Sequence, residues 1–144
     1  MTGAVQGAPR ALLRLEGAAL LAGATLAHGQ LGGGWGLFAS AFLLPDLALL
    51  AYLGGPRWGA RAYNLTHTAA LPLALLVVGW VTDSSLCTHL ALIWLAHIGL
   101  DHALGFGLKY PTGFADTHLG QLPMRRDMGL QATQSRHGQY PADR

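Results

Sequence analysis

The chain has 144 residues, 51% of them hydrophobic and only 11% charged, with a mean hydropathy of +0.33. A water-soluble domain carries about 25% charged residues, so water is excluded as the only solvent around this single domain. The net charge of +2 would suit nucleic acid, but the basic residues form no patch, and the lone Cys87 rules out an internal disulfide and the cysteine-based zinc spacings.

The opening "MTGAVQGAPR" lacks the charged, then apolar, then cleavable layout of a signal peptide, so the first apolar stretch is expected to belong to the mature protein. Four apolar stretches follow, at residues 12–29, 35–54, 60–82 and 85–107. Each is close to the ~20 residues that carry a helix across ~30 Å of hydrocarbon. The breaks "QLGGG", "GGPRW" and "TDSS" are short enough to make neighbouring helices antiparallel. A soluble helical core is the alternative, but it requires polar stripes that these segments almost entirely lack. The expected architecture is an all-α integral membrane four-helix bundle over residues 1–122, juxtamembrane loop included. A flexible, polar cytoplasmic tail is expected at 123–144, where the composition is that of disorder.

Charge sets the orientation. Arg10, Arg14, Arg57, Arg61, Lys109, Arg125, Arg126, Arg136 and Arg144 all fall on the side shared by the two termini, or at its helix ends. The opposite connections, 30–34 and 83–84, contain no Lys or Arg. The positive-inside rule therefore places both termini in the cytoplasm, which for a bacterial protein means the inner membrane. Trp58, Tyr110 and Phe114 suit anchors at headgroup level.

The spans nonetheless contain Glu16, Asp46, His67, His97, Asp101 and His102, with Asn64 beside them. An ionisable group at the centre of a span costs about 2.5–3.5 kcal/mol on the insertion scale. Counting from the cytoplasmic ends at 1.5 Å per residue puts Glu16 about 6 Å deep, Asp101 about 9 Å, His67 about 10 Å, Asp46 about 12 Å and His97 about 15 Å. All five lie in one slab, and they come from all four helices. Asn64 and His67 share a helical face, as do His97 and Asp101. Carboxylates and imidazoles on facing helices are how a bundle builds a metal site, and ligands without thiolate suit zinc, manganese or iron.

Each residue has a plainer reading. Glu16 can pair with Arg14 or Arg61, Asp46 can serve a bend set by Pro45, and His67 and His97 can be hydrogen-bonded core histidines. His102 points about 100° away from Asp101 and reads as interfacial, while His28 and His89 belong to the opposite half. Cys87 and Ser40 lie away from the slab, no Gly-x-Ser-x-Gly occurs, and "GGG" and "GFG" lack the context of phosphate loops.

The segments "LEGAALL", "LLPDLALLAYL", "GPRWGARAYNLTHT" and "WLAHIGLDHALGFGLKYPTGFADTHLG" resemble a family of small bacterial four-helix membrane proteins catalogued as a domain of unknown function, over residues 11–122. The order Leu-Pro-Asp, Thr-His, His-x-x-x-Asp and Tyr-Pro is also similar to that of membrane-bound metal-dependent hydrolases. That likeness implies metal binding at Asp46, His67, His97 and Asp101. The chain departs from the hydrolase pattern at Ala48, where a second acidic residue is expected, and in lacking a His before Arg61. The early histidine of that pattern has no obvious equivalent here, unless Glu16 substitutes.

The first functional expectation is therefore a metal-dependent hydrolase of a lipid-like ester or phosphoester at the cytoplasmic leaflet. Asp46, His67, His97 and Asp101 would hold a divalent ion, and Glu16 would be a fifth ligand or the general base. Asn64 would orient a ligand. "KYPTGFADTHLG" would fold back with Asp116 and His118 over the opening and Lys109 toward an anionic headgroup. The alternative is a non-enzymatic protein that carries protons or metal, binds a cofactor such as haem, or acts as a structural partner. A pore would require a homo-oligomer. Membrane lipids are the expected partners, and nucleic acid is not.

Overall fold

The computed structural model describes residues 3–121; the tail expected at 123–144 lies outside them. Helix α1 spans Gly7–Gln30, the short α2 Trp35–Ala41, and a 3₁₀ helix Leu44–Gly54. Helices α3 (Pro56–His67), α4 (Ala70–Val81) and α5 (Ser85–Leu104) follow, then an antiparallel pair, β1 (Asp116–Thr117) and β2 (Gly120–Gln121). With α2 joined to the 3₁₀ helix and α3 to α4, these are four helical segments, as the hydropathy pattern requires. Two of them, Trp35–Gly54 and Pro56–Val81, are long and apolar enough to cross a membrane.

Both of those segments are interrupted, and proline explains each break. Pro45 has no N–H to donate, and beside it Asp46 N–H bonds Leu43 O at 3.1 Å, three residues back, as in a 3₁₀ turn. Pro72 cannot donate to the carbonyl of Thr68, and its ring crowds that carbonyl; Thr68 accordingly turns to an extended conformation at ψ 140°. The sequence alone suggested the first bend and not the second. The indole of Trp94 closes the gap left in α3, donating to Thr66 O at 2.6 Å.

Helix α5 is the centre of the molecule, with Ala91, Ile93, Ala96 and Ile98 almost wholly buried. Helices α1 and α4 pack chiefly on α5, whereas α3 packs chiefly on the 3₁₀ helix. The crossing of α1 and α5 is backbone against backbone. A Cβ on Gly99 would lie 2.7 Å from Gly17 O, and one on Gly17 would lie 2.6 Å from His102 Cβ. Small residues at such crossings let the two backbones approach closely.

Helix α5 ends in a left-handed Gly105 at φ 94°. Phe106 N–H returns to Asp101 O and Gly105 N–H to His102 O, a Schellman closure. The chain then folds back, with Asn64 holding Lys109 and with Val5 N–H bonded to His118 O at 2.8 Å.

Candidate metal centre

Each of four residues reaches the centre for a local reason. Asp46 sits in the first turn of the 3₁₀ helix, just after Pro45, and His67 is the last residue of α3, where Pro72 has stopped the helix. His97 and Asp101 are four apart on one face of α5. Their donor atoms all lie within 4.8 Å of one another. His67 Nε2 is 3.2 Å from His97 Nε2, 3.4 Å from Asp46 Oδ1 and 3.5 Å from Asp101 Oδ2. His97 Nε2 is 3.5 Å from the same Asp46 oxygen.

The four distances at the imidazole nitrogens approach a known geometry, while the set as a whole spreads to 4.8 Å. Metal–nitrogen and metal–oxygen bonds of about 2.0–2.2 Å, arranged tetrahedrally, separate neighbouring donors by about 3.3–3.6 Å. The side chains of both histidines are 2% exposed, that of Asp101 is 16% and that of Asp46 is 37%, so the centre is closed on the imidazole side and open at Asp46. Beside Asp46 lies an apolar groove of about 520 Å³ lined by leucines and Tyr52.

The surrounding residues fix the donors. His67 Nδ1 is 2.9 Å from Tyr63 O. A carbonyl only accepts, so the ring proton is on Nδ1 and the Nε2 lone pair faces the centre. The Tyr63 ring stacks on His67 with centroids 3.7 Å apart, and its hydroxyl donates to Asp101 Oδ2 at 2.6 Å. One tyrosine thus orients two donors. The edge of His97 meets Phe42 at 5.3 Å, and His97 Nδ1 has no hydrogen-bond partner among the described residues. Tyr63 escaped the sequence reading, although its position four residues before His67 on one helical face was the available signal.

The other expected site residues lie apart from the four. Glu16 is exposed on α1. Asn64 is engaged with the main chain of Lys109 rather than with a ligand ring. Asp116 accepts from Thr112 Oγ1 at 2.8 Å, and the His118 ring sits 6.0 Å from His102. Lys109 is 3% exposed and turns inward, its Nζ bonded to Phe114 O and lying over the rings of Tyr63 and Phe114. Burial pushes its pKa down, with the charges of Asp101 and Asp46 acting in the opposite direction.

Fold and site together define a small helical protein with a buried two-histidine, two-carboxylate centre able to hold a metal ion. The chain belongs to the family described as a domain of unknown function, DUF4260, which it matches over residues 10–122. No curated protein and no solved structure matches it.

Proposed function

We propose that this protein is an integral membrane metal-dependent hydrolase that cleaves a lipid-like ester or phosphoester at the cytoplasmic leaflet. The convergence of Asp46, His67, His97 and Asp101 within 4.8 Å carries the reading. Two carboxylates and two neutral imidazoles bring two negative charges, which a divalent zinc, manganese or iron ion neutralises. Held by these four residues, such an ion would supply a bound water whose pKa is lowered toward neutrality. Asp46, the most exposed of the four, stands where the groove admits substrate. Its carboxylate accepts the proton of the attacking water. The water oxygen joins the acyl or phosphoryl centre, the ester C–O or P–O bond breaks, and the proton passes to the leaving alcohol. Glu16, exposed on α1, has no part in this scheme.

Membrane insertion is supported by the outward-facing apolar side chains, among them Leu53 at 90% exposure, Trp80 at 80% and Val81 at 72%. Soluble monomers rarely expose apolar surface on this scale. The one-sided Lys and Arg distribution supports cytoplasmic termini. In this reading residues 1–122 form the membrane domain and 123–144 a cytoplasmic tail.

One observation favours a second reading. The 3.2 Å between His67 Nε2 and His97 Nε2 is also a hydrogen-bond distance, which without a metal would hold a shared proton. A proton-carrying protein follows from that. The test is metal analysis by mass spectrometry of the protein purified in mild detergent, beside Asp46→Ala and His97→Ala. About one ion per chain, lost in both folded variants, is expected and leads to assays with lipid esters and phosphoesters. No stoichiometric metal after loading with zinc, manganese or iron would overturn the hydrolase reading and leave the proton-carrying one.

A further inference from the structure

A second cavity, of about 270 Å³, lies between the two broken helical segments and α5. Leu44, Leu75, Leu90 and Trp94 line it, together with Pro45 and Thr66. The last two are the residues immediately before the donors Asp46 and His67. The two helix breaks therefore both deliver the donors and create the cavity. On α5, Leu90, Trp94, His97 and Asp101 follow one another at spacings of four, three and four, so one continuous stripe carries the cavity wall and then the metal donors.

The cavity has no use for water. Its Trp94 indole N–H is bonded to Thr66 O, and the Thr66 hydroxyl has partners in Pro45 O, Ala62 O and Tyr63 O. A buried water needs two to four polar partners, and a cavity without them stays dry or takes hydrocarbon. Its direction is also informative. From His97, about 15 Å deep by residue count, to Leu90 is about 10 Å along α5, running from the centre through the midplane and away from the cytoplasmic side. A lipid in the cytoplasmic leaflet runs the same way, from headgroup to chain end.

We infer that this cavity is the subsite for the alkyl chain of the substrate, so that the enzyme selects a single-chain lipid whose ester group stops at the metal centre. This rests on the proposed metal site. The volume is about nine times the ~30 Å³ share of one water molecule in the liquid, and a methylene group is of that size. The subsite thus holds at most about nine methylenes, with Leu44, 55% exposed, at its rim. Leu75 and Leu90 set the chain length.

The experiment uses the full chain carrying Trp35→Phe, Trp58→Phe and Trp80→Phe, which leaves Trp94 as the sole indole. A monoacylglycerol brominated within the first nine chain carbons is titrated into the detergent-purified protein, with the unbrominated compound as control. Metal content is measured on the same samples. Saturable quenching of Trp94 by at least about half is expected, reduced severalfold in Leu75→Phe and in Leu90→Phe at unchanged metal content. Metal present with no saturable quenching, or quenching equal in the folded filled variants, overturns the subsite and leaves the metal site intact. Saturable quenching with no metal in any preparation overturns the hydrolase reading and reduces the subsite to a lipid-binding cavity.

Discussion

The side-chain amide of Asn64 grips one residue twice. Its Oδ1 accepts from Lys109 N–H at 2.7 Å and its Nδ2 donates to Lys109 O at 2.9 Å. An amide that satisfies both main-chain polar groups of a residue 45 positions away holds the loop after α5 against α3 as a strand partner would. Replacing it leaves those main-chain groups without their partners, at about 1–3 kcal/mol. Asn64→Ala is expected to lower thermal stability in detergent and to speed proteolysis between residues 107 and 115. Asn64→Asp, which keeps the acceptor, is expected to fall between. Equal protease resistance in all three proteins would show that other contacts hold the loop.

Tyr63 is expected to tune the metal through hydrogen bonding. Tyr63→Phe keeps the ring on His67 and removes the 2.6 Å bond to Asp101. Loss of such an outer partner weakens metal binding about 10–100-fold, which competition with a chelator measures. The fold should survive, with unchanged circular dichroism. An affinity within twofold of the parent would detach Tyr63 from the site.

Metal should also stabilise the folded chain. At a free-ion concentration a hundred times Kd, binding contributes about 2.7 kcal/mol. Loading with the preferred ion is therefore expected to raise Tm by several degrees, and a chelator to reverse it. In His97→Ala, chelator and ion should make no difference. A Tm indifferent to metal in the parent protein is the result that counts against the site.

The α1–α5 crossing predicts a packing effect with no chemical component. In Gly17→Val the added carbons meet His102 Cβ at 2.6 Å and Ala103 N at 2.7 Å unless the helices separate. Overpacking of this kind costs about 1–3 kcal/mol. Gly23→Val, on the same helix with open space at its Cβ, is the control and should be nearly neutral. Similar melting of the two variants would mean that the crossing is looser than these contacts imply.

Depth along a helix is legible from counting residues, and it brought Asp46, His67, His97 and Asp101 into one slab. Rotation about the helix is legible only where two marked residues share a face. His97 and Asp101 do, at a spacing of four. Glu16 had no such companion, and it is exposed on α1. Asn64 illustrates a different limit. Its face relative to His67 was readable, but its partner is set by how the chain returns after Gly105, and no local pattern encodes that. The helix segments followed hydropathy closely. The break before Pro72 did not, because the surrounding residues are apolar on both sides and a missing N–H leaves no mark in a hydropathy profile.

The packing divides the described molecule along a seam. Helix α5 with α1 and α4 forms one part, and α3 with the 3₁₀ helix forms the other. His97 and Asp101 belong to the first, Asp46 and His67 to the second. An ion held by all four would act as a rivet between two plates that otherwise touch sparsely. Its presence should then be felt far from the chemistry: amide hydrogen exchange in 44–67 is expected to slow on loading, while that of α1 stays as it was. Any substrate that must part the plates to reach its chain subsite would find the riveted protein slower to enter and slower to leave.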